Sequence, residues 1–151
     1  MTSSKQIKSK ISKEGLLTIS IEEVDIPQPN AGEVLIKVQA TPINPSDLGL
    51  LVGPADVSSL EIVEEGSKIQ MKVPESLIRS VSARFDQNLP VGNEGAGIVE
   101  AAGEGAEHLI GKVVGVAGGA MYSQYRCLPA SSCLEMNDGT PAREAASCFV
   151  N

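Results

Sequence analysis

The sequence predicts a mainly β fold, a partly open barrel with a few short helices. Its apolar residues recur with a period of two, the period of a strand with one buried face. Fifteen Gly and nine Pro in 151 residues provide many turns between short strands. The clearest alternation places Val34, Ile36, Val38 and Ala40 on one face and Glu33, Leu35, Lys37 and Gln39 on the other. Short strands with frequent turns are typical of barrels and sandwiches.

The remaining elements follow from the same patterns. Further strands are predicted over residues 6–11, 16–24, 69–73, 97–102, 112–117, 121–128 and 133–136. A short helix is predicted over residues 76–85, and a second helix begins near residue 140, with Thr140 as its N-cap and Pro141 as its first residue. Residues 53–89 show no sustained alternation, so we expect either a variable surface excursion or a lid or partner surface.

Length and composition exclude several classes of function. The length fits one domain, and a net charge of -7 argues against nucleic-acid binding. No apolar run is long enough for a membrane span or a signal peptide, so we expect a cytoplasmic protein. Three Cys without a Cys-x-x-Cys pair predict free thiols. The four lysines between residues 5 and 13 are interpreted as the solvated face of an edge strand.

Two polar segments stand out among the predicted strands: Thr41-Pro-Ile-Asn-Pro-Ser-Asp47 and Gly92-Asn-Glu-Gly-Ala-Gly97. The first is compatible with turn chemistry alone, and equally with a hydrogen-bonding site. The glycine-rich second segment is not a dinucleotide fingerprint, because Glu100 stands where the third glycine belongs and no βαβ unit surrounds it. His108 and the three Cys match no zinc-site spacing, and we expect His108 to be a surface residue.

Together with Gly15–Ile19, residues 27–44 and Ala120–Tyr125, these segments resemble the amino-terminal GroES-like domain of the medium-chain dehydrogenase/reductase superfamily. The resemblance covers nearly the whole chain except residues 53–89, which are longer than the family's usual loop. It implies that residues 1–151 form a GroES-like substrate domain, with a Rossmann coenzyme domain expected downstream. The helix near residue 140 would lead into that domain, since no partner for it is evident in the sequence.

The resemblance also implies an activity and a set of site residues. Zinc alcohol dehydrogenases of this superfamily have Cys where this chain has Asn44 and His where it has Asn93, and Asn is a poor zinc ligand. The chain is therefore similar to the zinc-independent quinone oxidoreductase branch, with no metal site. By that similarity Asn44 and Asp47 are catalytic and lie beside the nicotinamide and its ribose. Asn93 and Glu94 contact the same coenzyme, and Tyr122 and Tyr125 line the substrate cleft.

The implied reaction is hydride transfer from NADPH, bound mainly by the downstream domain, to a small quinone or enone. The parent enzyme is expected to be a homodimer, and the isolated chain to be inactive. An enoyl thioester reductase domain is an alternative, although the Tyr that those enzymes carry after the first motif is missing from residues 48–56. A stand-alone, non-catalytic GroES-like binding module is the other alternative.

Overall fold

The computed structural model describes residues 3–150, which form two five-stranded sheets. The mainly β, partly open barrel predicted from the sequence is confirmed. The strands are β1 Ser3–Ile11, β2 Leu16–Asp25, β3 Glu33–Ala40, β4 Asp56–Glu64, β5 Lys68–Lys72, β6 Leu89–Pro90, β7 Glu94–Ala102, β8 Val113–Ala117, β9 Tyr125–Pro129 and β10 Cys133–Glu135. The α-helices are α1 Pro45–Leu51, α2 Glu75–Ile78 and α3 Ala142–Ala145. Short 3-10 helices span Arg79–Arg84, Glu107–Leu109 and Ala130–Ser132.

The first sheet has the strand order β4-β5-β2-β1-β6, and its named pairs are antiparallel. Its buried end packs Ile11, Leu17, Met71 and Val73 beneath the helical segment at residues 75–84. The lysines of β1 do not mark an edge strand, and that prediction is wrong. Strand β1 pairs with β2 along its whole length, and on its other side Lys8 and Ser9 pair with the unpredicted strand β6.

The second sheet has the order β10-β8-β7-β3-β9 and holds the larger core. Val34 and Ile36 of β3 are fully buried, and Val38 packs partly buried against them, as the alternation predicted. Leu35 is also buried, next to a register shift between Leu35 and Ile36. The two sheets are joined beside β9, where the backbone N–H of Ile7 donates to the Tyr122 carbonyl at 2.8 Å.

Residues 53–89 differ most from the sequence prediction. They contain the predicted strand, as β5, and the predicted helical segment, but also an unpredicted strand, β4, which pairs with β5 in a hairpin. The predicted helix at residues 76–85 is therefore present as a short α-helical turn followed by a 3-10 helix. Strand β4 escaped prediction because eight of its nine residues are exposed and its apolar residues do not alternate. Strand β9 begins at Tyr125 rather than at Met121.

The last helix also corrects the prediction. Pro141, rather than Thr140, occupies the N-cap position of α3, and it makes no side-chain capping bond. The helix has a packing partner within the chain, because Ala142, Ala145 and Ala146 are buried against Ala96 of β7. Small side chains allow this close approach, and they gave no amphipathic signal in the sequence.

Candidate active site

Helix α1 begins at the first polar segment. Asn44 is its N-cap and Pro45 its first residue, a position that suits proline because it needs no N–H donor there. The Asp47 Oδ2 atom accepts the backbone N–H of Asn44 at 2.8 Å, as the third helical residue does in a capping box. The sequence predicted a turn or a site here, and the structure shows a capped helix start.

The second polar segment is bound to this helix start. Asp47 Oδ1 accepts the backbone N–H of Asn93 at 3.0 Å, so one carboxylate joins two segments separated by 46 residues. The Asn93 side-chain amide in turn donates to the Ser46 hydroxyl at 2.8 Å. Asp47 is 2% exposed, whereas Asn93 is half-buried and Ser46 exposed. Asn93 and Ser46 therefore form the accessible polar edge of the arrangement.

Glu94 makes a third connection, although it is only 1% exposed. Its Oε1 accepts the side-chain amide of Asn44 at 2.9 Å, and its Oε2 accepts the backbone N–H groups of Phe149 and Val150 at 2.9 and 3.0 Å. Burial opposes ionisation, but these N–H donors outweigh it and lower the pKa of Glu94. Glu94 is thus a buried carboxylate stabilised in its charged form by N–H donors.

We call Asn44, Asp47, Asn93 and Glu94 the polar cluster. The structure brings all four together through hydrogen bonds. The three most buried members hold one another and the backbone in place, and Asn93 lies at the accessible edge. Buried polar groups specify one geometry only when they are paired, and these carboxylates accept four backbone N–H groups and one side-chain amide.

Tyr122 extends the site toward a cavity of about 440 Å³. Its hydroxyl donates to the Pro42 carbonyl at 3.0 Å. Burial and the negative charge of the nearby Asp47 raise the pKa of Tyr122 to about 12, so it is a neutral phenol at neutral pH. Tyr125 is placed elsewhere: it pairs with Lys37 at the start of β9. The structure therefore brings Tyr122, but not Tyr125, to the polar cluster.

All three glycines of the second segment are closely approached: a Cβ on Gly97 would collide with the Lys37 carbonyl of β3, and the other two face the site. A Cβ on Gly92, whose φ is +102°, would lie 2.6 Å from the Tyr122 backbone nitrogen. A Cβ on Gly95 would lie 2.8 Å from Thr41 Cγ2 and 2.9 Å from the Ala40 carbonyl oxygen. These glycines let the second segment lie directly against Tyr122 and the first segment.

The donor set does not fit a zinc site. In residues 3–150 no three His, Cys, Asp or Glu side chains are grouped so that they could hold a metal ion. At the polar cluster the carboxylate oxygens of Asp47 and Glu94 already accept N–H donors. His108 is exposed, as predicted, and all three cysteines are free thiols. The glycine-rich segment forms no βαβ unit either, because β7 pairs antiparallel with both β3 and β8.

Some contributors could not be recognised from side-chain patterns. The backbone N–H groups of Phe149 and Val150 satisfy Glu94, and the Pro42 carbonyl accepts from Tyr122. Every residue supplies such groups, so residue type carries no signal for them. The partnership of Ser46 with Asn93 is a contact across 47 residues, and nothing in the first segment alone could have identified it.

Comparison with known proteins points to one family. The family model described as the alcohol dehydrogenase GroES-like domain matches residues 30–138. A zinc-type alcohol dehydrogenase-like protein of Schizosaccharomyces pombe is 31% identical over 149 residues, which cover 93% of this chain and 37% of that protein.

Solved structures share the fold. A candidate NADPH:quinone reductase of Bacillus thuringiensis superposes with a TM-score of 0.66 at 22% identity, over 99% of this chain and 38% of its own. A mycobacterial protein solved in complex with NADPH gives a TM-score of 0.57 at 24% identity, over 97% of this chain and 36% of its own. The chain spans less than half the length of the relatives it matches.

Proposed function

The chain belongs to the family of alcohol dehydrogenase GroES-like domains, and from this premise we propose that it is the substrate domain of a zinc-independent, NADPH-dependent reductase. The acceptor is a conjugated carbonyl compound, a quinone or an enone. The names of the relatives, a zinc-type alcohol dehydrogenase-like protein and a candidate NADPH:quinone reductase, support an oxidoreductase. Because those proteins are more than twice as long as this chain, they have room for a further domain, which we propose follows this one and binds the coenzyme.

The observation that carries the proposal is the polar cluster. Asp47 and Glu94 tie the first segment, the second segment and the backbone at Phe149 and Val150 into one wall. Such a wall can hold a nicotinamide and an acceptor in a fixed relation, which is the main protein contribution when the coenzyme supplies the hydride. Asn44 and Asp47 are proposed to set the nicotinamide side of the wall, and Asn93 and Glu94 to complete it.

The chemistry of the donor set supports a reaction without zinc. Asn44 turns its side-chain N–H toward Glu94, so its amide acts as a donor at the position where a metal would need a strong electron-pair donor. A conjugated acceptor tolerates negative charge on its oxygen through its own delocalisation. The neutral phenol of Tyr122, which donates to the Pro42 carbonyl in this structure, is proposed to turn its O–H toward that oxygen, with Tyr125 farther away.

A second acceptor class has one observation in its favour. The Tyr122 phenol lies at the first polar segment, so it brings to the site the tyrosine that residues 48–56 lack. An α,β-unsaturated thioester is therefore the second candidate acceptor.

The parent enzyme is proposed to be a cytoplasmic homodimer, and this chain alone is expected to bind NADPH weakly and to catalyse no reaction. Residues 3–150 contain no helix long and apolar enough to cross a membrane.

The test is an acceptor screen with the protein that extends past Asn151 into the coenzyme domain. NADPH absorbance is followed with quinones, enones and enoyl thioesters, before and after dialysis against a chelator. We expect a quinone or an enone to be reduced and the rate to survive chelation. A rate that is lost on chelation and restored by zinc would contradict the proposal that the reaction needs no zinc. Absence of any turnover, or of a coding sequence for a second domain, would favour the binding module.

A further inference from the structure

The first sheet has an apolar face that is covered at one end and open at the other. Its covered end is the buried core around Leu17 and Met71. Alternation continues this face outward along β2 from Leu17 to Ile19 and Ile21. In the open part the isoleucines stand in cross-strand rows: Ile21 opposite Ile7, and Ile19 opposite Ile69, which is opposite Ile62. We call the depression over these five isoleucines the apolar groove.

The apolar groove is formed by two adjoining cavities of about 440 and 250 Å³, which share Ile7 and Ile21. Ile21 is 44% exposed and Ile62 61% exposed, so apolar surface faces the solvent along its length. The larger cavity has the volume of a small-molecule pocket. Contiguous exposed apolar surface of this kind marks binding sites in soluble proteins.

One end of the groove reaches the polar cluster. The larger cavity is also lined by Ile43, which precedes Asn44, and by Tyr122, whose hydroxyl is bonded to the Pro42 carbonyl. The other end lies on the hairpin β4–β5, in residues 53–89. A ligand with its polar head at Tyr122 would therefore extend its tail toward this hairpin.

We propose that the apolar groove binds the unbranched hydrocarbon tail of the acceptor, with the carbonyl head at Tyr122. This rests on the proposed function and narrows it to acceptors with a long apolar tail. The five isoleucines bring no charge to the groove, and its charged lining residues are Lys5 in the larger cavity and Glu64 and Lys68 in the smaller. Glu64 and Lys68 neutralise each other in an ion pair at 2.8 Å. The groove thus selects ligands by the length and apolar character of their tails rather than by their charge.

The direct test is binding of butanone, octanone and dodecanone to this chain by calorimetry or by NMR titration. Saturated ketones are used because an enone would react with the exposed thiol of Cys148. Affinity should rise about two- to four-fold per added methylene, the upper value corresponding to full burial of each group. An affinity that does not depend on tail length would overturn the proposal.

Two neighbouring substitutions on β4 locate the site. Ile62→Asp places a charge in the groove and should reduce dodecanone affinity at least ten-fold. Val63→Asp is the matched control, since Val63 is also exposed but does not line the groove, and it should leave affinity unchanged. Equal effects of the two variants would refute the site. A dimer of this chain that excludes dodecanone and is dissociated by Ile62→Asp would show instead that the groove is an interface.

The binding test and the activity test fail separately. In the extended protein with Cys148 replaced by Ser, so that enones cannot react with its thiol, kcat/KM for butenone, octenone and dodecenone should rise with length, and Ile62→Asp should flatten that rise. Turnover that is independent of length would contradict the tail site while leaving the reductase proposal intact. Length-dependent binding without turnover of any acceptor would support the groove and contradict the reductase.

Discussion

The polar cluster and the hairpin β4–β5 lie at opposite ends of the apolar groove and differ in burial and in the kind of contact that they offer. In the polar cluster Asn44, Asp47 and Glu94 are at most 2% exposed, and paired hydrogen bonds fix them. In the hairpin, β4 is an edge strand with exposed apolar side chains, Ile62 and Val63 among them. Buried polar groups tolerate one geometry, whereas an exposed apolar surface tolerates many. We infer that the cluster fixes the reacting groups, while the hairpin adapts to the remainder of the ligand.

The largest loss of stability should come from Gly95→Ala, which adds a methyl group where the two polar segments meet. The new Cβ would lie 2.8 to 3.1 Å from Thr41, Ala40 and Met121, so the segments must separate. We expect a cost of about 2–3 kcal/mol in the free energy of unfolding, measured by urea denaturation. Gly49→Ala in helix α1 meets no atom within 4 Å and should be neutral or stabilising. Equal effects of the two variants would show that the segments are not closely packed.

Glu94→Gln should be next, at about 2 kcal/mol near neutral pH, because the amide cannot accept all three N–H donors. The pKa of Glu94 is lowered in the folded state, so its charge stabilises the fold above the ordinary glutamate pKa. That contribution is lost as pH falls through the lowered pKa. The stability difference from the native chain should therefore narrow as pH falls below about 4.5.

The control for this acid profile is Glu100→Gln, which alters an exposed carboxylate 3.5 Å from Lys37. We expect less than about 0.5 kcal/mol from it near neutral pH. A Glu94→Gln difference that stays constant down to acid pH would show that the Glu94 charge does not stabilise the fold.

A smaller effect is expected for Arg84→Met, which tests how helix α1 is held at its far end. The Arg84 guanidinium donates to the carbonyls of Gly49 and Leu50 at 3.3 and 3.4 Å, a favourable place for a cation at a helix C-terminus. The Arg84 Nε atom is buried without a hydrogen-bond partner among the described residues, which reduces the net gain. We expect the free energy of unfolding, measured by thermal denaturation, to fall by about 1 kcal/mol. A more stable variant would show that burying the Arg84 guanidinium destabilises the fold by more than its hydrogen bonds stabilise it.

The smallest effect belongs to the hairpin. Ile62→Asp and Val63→Asp should each change the free energy of unfolding by no more than about 0.5 kcal/mol, because both side chains are exposed. Urea denaturation of the two variants checks this. A loss above about 2 kcal/mol for either would show that the hairpin is part of the rigid core, and the contrast with the polar cluster would fail.

The sequence predicted the parts of this molecule whose burial follows a simple period. The alternation from Glu33 to Thr41 located β3, and the two polar segments located the residues of the polar cluster. It could not reveal β4, whose exposed apolar side chains break alternation, or the packing of α3 through alanines. It also could not show that Glu94 is bound by the backbone at Phe149 and Val150, because backbone donors are common to all residues. Long-range contacts decide these features, and local patterns do not encode them.

The most direct test of the central claim is the kcat/KM of Asn44→Ala in the protein that includes the proposed coenzyme domain. The substitution removes the amide that donates to Glu94 in the wall proposed to hold the nicotinamide. Asn44→Ser keeps a capping side chain at the start of α1, and Asn137→Ala at an exposed position is the control. We predict a loss of about ten- to a hundred-fold for Asn44→Ala and Asn44→Ser, and none for Asn137→Ala. Unchanged kcat/KM in folded Asn44→Ala would contradict the account and leave Asn44 as a helix cap.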